Sequence, residues 1–388
     1  MSKRSREDRA GRYIRQSAGY EAFVPAPFPP VDIAMESPLL RLNSRADLEL
    51  GKLVGVTSIL PNPDLFVFMY VRREAVLSSQ IEGTQASLMD ILEYEASLRD
   101  TTTRIDVAEV SNYIAALRYG LERVKELPPS LRLIREIHGR LMDGVRGGEP
   151  EKTPGEFRRS QNWVGGPSPE SARYVPPPVP VMDEALDQFE KAIHAHSDYP
   201  LLVEIGLAHA QFETIHPFLD GNGRMGRLLI TFLLCHHRVL NEPLLYLSIF
   251  FKQNRQEYYE RLQAIRDKGD WEGWLAFFLE GVATVATEAT STARKIVELR
   301  EQAREQIAQH MGRRASRAHQ LLDGLFQNPV VNVKDVERMT DLSQPAANAL
   351  TTALAEMGML KEITGQRRNR VFMFETYLSL FEERGRRS

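Results

Sequence analysis

Apolar residues recur at helical spacing through most of this chain, and the places where that rhythm breaks are more informative than the rhythm itself. Regular structure is expected to begin near Leu48. LELGKLVGVTSIL, the punctuation PNPD, LFVFMYVRREAVLSSQIEG, VAEVSNYIAALRYGLERV and LRLIREIHGRLMDGV then follow as helices. Before them, residues 1–40 carry a basic head and the proline-rich FVPAPFPPV, which reads as an extended arm laid over the body. The segment TPGEFRRSQNWVGGPSPESARYVPPPVPV interrupts the helices, and its β-type pieces around Gly165 and Gly166 predict a small hairpin.

Helices resume at Met182. LLVEIGLAHAQFETI sets Leu201, Ile205, Ala208, Phe212 and Ile215 on one stripe, and RLLITFLLC is apolar on nearly every side, as expected of a centrally buried helix. A long charged helix, ATVATEATSTARKIVELREQAREQIAQH, separates this body from a C-terminal unit. There RAHQLLDGLFQN, VKDVERMTD and SQPAANALTTALAEMG predict three helices and MLKEITGQRRNRVFMF two strands about a basic turn, the order of a winged helix-turn-helix. The expected division is 1–110, an arm and helical module; 111–290, a catalytic core; 291–312, a linker helix; and 313–388, the C-terminal unit. The fold class is mainly α.

Bulk properties narrow the picture little. The 388 residues are 43% hydrophobic and 26% charged with a formal net charge of −3, which argues against disorder and against bulk nucleic-acid binding. Cys235 is the single cysteine, so an intrachain disulfide or cysteine cluster is excluded and a reducing, cytoplasmic setting is expected. No run is apolar enough to suggest a membrane span.

Between the two central helices stands IHPFLDGNGRMGR, residues 215–227. Gly221, Gly223 and Gly226 match G-x-G-x-x-G, yet the segment follows a helix rather than a strand, so a Rossmann turn does not fit, and no P-loop sequence occurs. Glycines ahead of a helix still let successive N–H groups converge at its positive end, which makes an anion seat. Arg224 and Arg227, three apart on the first turn, point to a polyphosphate. Asp220 at the rim calls for a hard cation such as Mg²⁺ between carboxylate and phosphate. His216 ends the preceding helix with a side chain suited to general-base work. His209, Glu213 and His216 share a helical face, a spacing open to zinc, but without H-E-x-x-H it is thin ground for a metal site. His236 and His237 read as surface residues.

HPFLDGNGRMGR resembles the Fic-family signature HPFx[DE]GNGRxxR at every specified position, with Leu219 at the free one. The resemblance implies a helical Fic core and transfer of AMP from ATP to a hydroxyl of a target protein, with self-modification expected. It implies His216 as base, Asp220 as the Mg²⁺ residue, the Gly221–Gly223 backbone as phosphate cradle, and Arg224 and Arg227 on the outer phosphates. The ATP-contacting set is then Glu82, His216, Gly221, Asn222, Gly223, Arg224, Met225, Gly226, Arg227 and Tyr259. Gly223, retained where a kinase-type relative has lysine, favours AMP transfer over phosphorylation.

SSQIEG is similar to the family's inhibitory pattern [ST]xxxE[GN], with Ser78, Glu82 and Gly83 in place, which implies a Glu82 carboxylate competing for Arg227. In NRQEYYERL, Tyr259 is the match for the adenine contact, and Asn162 to Tyr174 resembles the flap that aligns a target chain by strand addition. The resemblance covers about residues 45–290. Similar proteins often form homodimers and often carry an appended winged helix. The helix Ser343 to Gly358 has no lysine or arginine, and Arg367, Arg368 and Arg370 alone are well placed for phosphate, so partner docking is favoured over DNA binding there. The alternatives are an ATP-sensing, DNA-binding regulator and a hydrolase that removes AMP at the same site.

Overall fold

The computed structural model describes residues 9–58, 64–96, 104–195, 197–240, 243–365 and 370–381. The basic head, most of the PNPD punctuation, and Arg367 and Arg368 of the expected basic turn lie outside these residues. The chain is mainly helical, around one contiguous apolar core.

Regular structure starts earlier than the helical rhythm indicates. β1 (Gly11–Arg15) pairs antiparallel with β2 (Glu21–Pro25), and α1 runs Ser37–Ser58. The expected extended arm therefore contains a hairpin. It is held by tertiary contacts: Phe23 is fully buried and donates its N–H to the Val175 carbonyl at 2.9 Å, and Arg9 pairs with Glu272 at 2.8 Å. α1 buries Leu39, Asn43, Ala46, Leu50 and Leu53, alternately four and three residues apart, against α11 (Trp271–His310). Charged residues between those positions, and Pro38 in its first turn, mask the helix in the sequence.

The next helices form a scaffold around the motif. α2 (Asp64–Ile81) ends just before Glu82, and α3 (Leu88–Glu95) opens on a Ser87–Asp90 capping box. α4 (Arg104–Arg123) packs on α5 (Leu131–Leu141). The proline-rich stretch that follows brings one antiparallel bridge, Val164 with Tyr174, where a hairpin of paired strands was expected. Arg173 N–H also donates to the Gly165 carbonyl at 2.8 Å; beyond it Gly166 takes φ of 153° and Pro167 and Pro169 lack the N–H a ladder needs, so the hairpin stays small.

α6 (Val179–His194), α7 (Leu201–Ile215) and α8 (Asn222–His236) complete the centre. α7 does not present one apolar stripe: it is buried on all sides from Ile205 to Ile215, including His209, Gln211, Glu213 and Thr214. α8 is buried almost throughout, as its composition predicts. α9 (Ser248–Gln253) and α10 (Arg255–Lys268) lead to α11, whose 40 residues run without a break across the boundary expected at 290–291. Its amino-terminal half is core, so the linker is the continuation of a catalytic-body helix.

The C-terminal unit comprises α12 (Ala315–Gln327), β3 (Val330–Asn332), α13 (Val333–Thr340), α14 (Gln344–Glu356), β4 (Lys361–Glu362), β5 (Val371–Met373) and α15 (Glu375–Leu378). Its antiparallel sheet has the order β3-β5-β4. α12 packs on α2, and the Phe381 ring meets Tyr70 of α2 edge-on at 5.5 Å.

Candidate active site

The motif turn joins the C-terminus of α7 to the N-terminus of α8 and is bonded at nearly every residue. His216 caps α7 in the left-handed region, φ 49° and ψ 60°, an unusual place for a non-glycine side chain. Its carbonyl accepts from Arg158 Nε and Asn162 Nδ2, each at 3.1 Å, which holds that conformation. Asn162 also donates to the Phe218 carbonyl at 2.7 Å, and Asn222 closes the turn onto both the N–H and the carbonyl of Phe218 at 2.8 Å. His138 Nδ1 accepts the Gly155 N–H at 2.9 Å, so its Nε2–H donates to the Asp220 carbonyl at 2.9 Å. Its ring stacks on Phe218 with centroids 3.6 Å apart, and burial pushes its pKa down to about 4.

Gly221 is required twice over. Its φ is 75°, and a Cβ there would lie 2.6 Å from Met142 Sδ. Because Met225 N–H makes the first helical bond, back to the Gly221 carbonyl, the amides of Asn222, Gly223 and Arg224 precede the hydrogen-bonded ladder. They open into a cavity of about 500 Å³ that also meets Glu82, His216, Asp220, Arg227 and Tyr259; of the expected ATP-contacting set, Met225 and Gly226 do not line it, Met225 being fully buried on the core side of α8.

Arg227 is buried at the cavity wall. Its Nε donates to Ser78 Oγ at 2.8 Å, and its Nη2 donates to the Ser78 carbonyl at 2.9 Å and to Glu82 Oε1 at 2.7 Å. Burial opposes the guanidinium charge, but Glu82 and nearby tyrosine hydroxyls override it and hold the pKa above its usual value. The Glu82 oxygen stands over the α8 terminus, 2.3 Å from where a Cβ on Gly223 would sit. Gly83, at φ 105°, turns the chain directly after it.

Arg224 takes a different direction. It is buried, with Nη2 3.3 Å from Met142 Sδ and Nη1 3.8 Å from Glu109, and its Nε and Nη1 have no hydrogen-bond partner. Asp220 is partly exposed: Oδ1 accepts the Gly221 N–H at 2.7 Å and Oδ2 lies 3.2 Å from Lys152 Nζ. One exposed carboxylate beside a phosphate seat suits Mg²⁺, which is held through one or two carboxylates and the substrate's own oxygens.

Tyr259 lines the cavity beside Arg255, whose guanidinium carbon is 5.8 Å from its ring centroid. The adjacent Tyr258 is core. Its hydroxyl donates to His209 Nε2 at 2.9 Å, while His209 Nδ1 donates to the Gly226 carbonyl at 2.9 Å. Both His209 nitrogens are thus engaged by protein, and burial lowers its pKa to about 3, so His209 has a structural role. His236, partly exposed, ends α8 and His237, exposed, follows it, as expected of surface residues.

His216 sits about one-fifth exposed, its Nδ1 buried without a hydrogen-bond partner. Burial, then Arg266 and Arg158, depress its pKa to about 3, which keeps the imidazole neutral and able to accept a proton. Several contributors escaped the sequence reading: Arg158, His138, Lys152, Arg266 and Glu109. Arg158 and Gly155 stand in the proline-glycine segment, where a charged residue buried by the turn has no periodic signal. Glu213 is visible in the sequence only through the face it shares with His209 and His216 on α7.

Family comparison agrees with this geometry. Residues 40–122 match the model described as Fic/DOC family N-terminal, and residues 128–234 match the Fic/DOC family model. Residues 40–234 thus carry the paired Fic/DOC-family modules. The N-terminal match runs from α1 to α4 and includes Glu82; the second runs from α5 through most of α8 and includes the whole motif. Among Fic relatives, the protein adenylyltransferase Fic of Drosophila ananassae is 31% identical over 210 residues, covering 52% of this chain and 38% of that protein. That of Aedes aegypti is 33% identical over 156 residues, covering 39% and 27%. The chain thus spans about a third of the length of the curated relatives it matches. In fold it resembles a Fic family protein from Desulfovibrio desulfuricans, with TM-score 0.58 and 17% identity over 88% of this chain and 97% of that one. It also resembles Fic-1 from C. elegans, with TM-score 0.51 and 22% identity over 68% and 75%. Among the described residues, no helix is long and apolar enough to cross a membrane.

Proposed function

We propose that this Fic protein is an adenylyltransferase that moves AMP from ATP to a hydroxyl of a target protein, itself included, and that Glu82 restrains it. The observation that carries the reading is the convergence on one cavity of His216, the unladdered α8 amides and the Arg227 guanidinium. The amides and Arg227 bind the triphosphate, and Tyr259 lies against the base. Neutral His216 takes the proton of the target hydroxyl. The hydroxyl oxygen forms a bond to the α-phosphorus, and the bond from that phosphorus to the bridging oxygen breaks. Pyrophosphate leaves with the electron pair. Asp220 would hold Mg²⁺, which when bound neutralises phosphate charge.

Restraint follows from competition. Glu82 takes the same guanidinium face that an outer phosphate needs and adds negative charge over the seat. The flap beside Val164 and Tyr174 offers a target segment backbone pairing rather than a side-chain pocket. We read the C-terminal unit as a winged helix whose use is docking a partner protein, because α14 has no basic residue.

Intact-mass measurement after incubation with ATP and Mg²⁺ tests the assignment. Wild type is expected to gain AMP slowly, Glu82→Gly quickly, and His216→Ala not at all. A Glu82→Gly protein that binds ATP yet adds AMP neither to itself nor to any protein of a cell lysate overturns it. If Glu82→Gly instead loses the ability to strip AMP from a modified protein, the site is a hydrolase.

A further inference from the structure

Two buried polar groups of the site face one another without a conventional partner. His216 Nδ1 has none, and Glu213, one turn back on α7, has an unpartnered Oε1 and places its Oε2 3.9 Å from that Nδ1. An orphaned carboxylate oxygen in a core costs stability, so its retention needs a reason outside packing. Gly226 supplies the room: a Cβ there would come within 2.5 Å of Glu213 Oε1. The other acceptor near the ring is the Glu213 main-chain carbonyl, which acts on the imidazole electrostatically but lacks hydrogen-bond geometry and already accepts from Arg266 Nη2 at 3.1 Å.

We propose that Glu213 is a positioning residue for AMP transfer: its carboxylate takes the Nδ1–H of His216, fixes the tautomer, and leaves Nε2 to receive the target's proton. A small rotation of either side chain closes the 3.9 Å gap to hydrogen-bond distance. The same contact stabilises the imidazolium that forms as the hydroxyl proton arrives, and no charge relay to Glu213 is needed. The charged and titratable groups facing Glu213 are Arg227 of α8, Glu82 after α2, Arg266 and Tyr258 of α10, Tyr174 of the flap, and His216 itself. Burial raises its pKa to about 7, with Glu82 adding to the rise and Arg227 and Arg266 opposing it.

The inference rests on the adenylyl-transfer reading, and its test separates the two. In the Glu82→Gly background, Glu213→Leu is expected to lower kcat at least about tenfold with KM for ATP unchanged and Tm not reduced, because an orphaned buried oxygen is removed. Glu213→Gln keeps an acceptor and is expected to recover part of kcat, while losing the rise in rate with pH that ionisation of Glu213 produces. Nitrogen-15 spectra of His216, assigned against His216→Ala, read the tautomer directly. The Nδ1–H form is expected in the parent, with a shift toward the Nε2–H form in Glu213→Leu. A Leu variant within about twofold of the parent and with the same pH profile overturns the proposal, as does an unchanged tautomer in that variant. If the Glu82→Gly parent transfers no AMP, the function reading fails, and the spectra still decide the Glu213–His216 pair.

Discussion

Replacing Glu82 with glycine removes one bond and one charge from the phosphate seat, and both effects have a size. The Glu82–Arg227 contact is a 2.7 Å charge-assisted hydrogen bond between a guanidinium 2% exposed and a carboxylate 35% exposed. Such bonds contribute ~1.5–3 kcal/mol when buried, and the solvent on one side of Glu82 places this one near ~2 kcal/mol. A phosphate oxygen entering beside the carboxylate meets like-charge repulsion worth roughly another 2 kcal/mol after screening. The pair alone predicts about a 30-fold gain in productively bound ATP, and both effects together predict about 10³-fold. Arg227 keeps its two bonds to Ser78, so the variant should remain folded, with a modest loss of Tm that ATP and Mg²⁺ restore. The assay is the initial rate of AMP addition by intact mass at saturating ATP, wild type against variant, with His216→Ala in the variant background as the zero. Acceleration below about threefold, with ATP shown to be bound, refutes the competition argument.

Other outcomes are expected elsewhere. Gly120 of α4 faces the Phe232 ring of α8, where a Cβ would sit 2.3 Å from the ring, so Gly120→Ala should cost ~1–3 kcal/mol and lower Tm by several degrees in a thermal melt. Unchanged Tm would show that α4 and α8 are not close-packed. Burial raises the pKa of Glu74, which accepts from Tyr113 and Ser248, to about 7. A folded pKa above the unfolded value means a contribution fully present below ~4.5 and lost as pH rises through about 7. Glu74→Gln should therefore remove on the order of 2 kcal/mol of the stability difference between pH 5 and pH 8, read by denaturant unfolding at the two pH values, and an unaltered difference counts against it. Glu213 continues to supply a slope of the same sign in that variant.

The proposed chemistry rests on thirteen residues that were legible in the sequence, because a glycine-rich helix start between a histidine and paired arginines has the makings of an anion seat. The same is true of α8, whose near-uniform apolarity has no stable place in water except a core. SSQIEG was legible only as a resemblance, since 145 residues separate Glu82 from Arg227 and helical periodicity says nothing about which helices meet. Tertiary packing alone decided the direction of Arg224, which lies on the same first turn as Arg227 but is drawn between Met142 and Glu109. It also decided the hairpin of the N-terminal arm, which exists because Phe23 finds a site beside Val175. Glu213 is the sharpest case. In the sequence it is one of several polar residues of α7, and it becomes part of a site only when α8 places Gly226 against it and α10 places Arg266 over its carbonyl. Local pattern records the free energy of a residue in its own turn, whereas the burial that orphans a carboxylate next to an imidazole is a property of three helices at once.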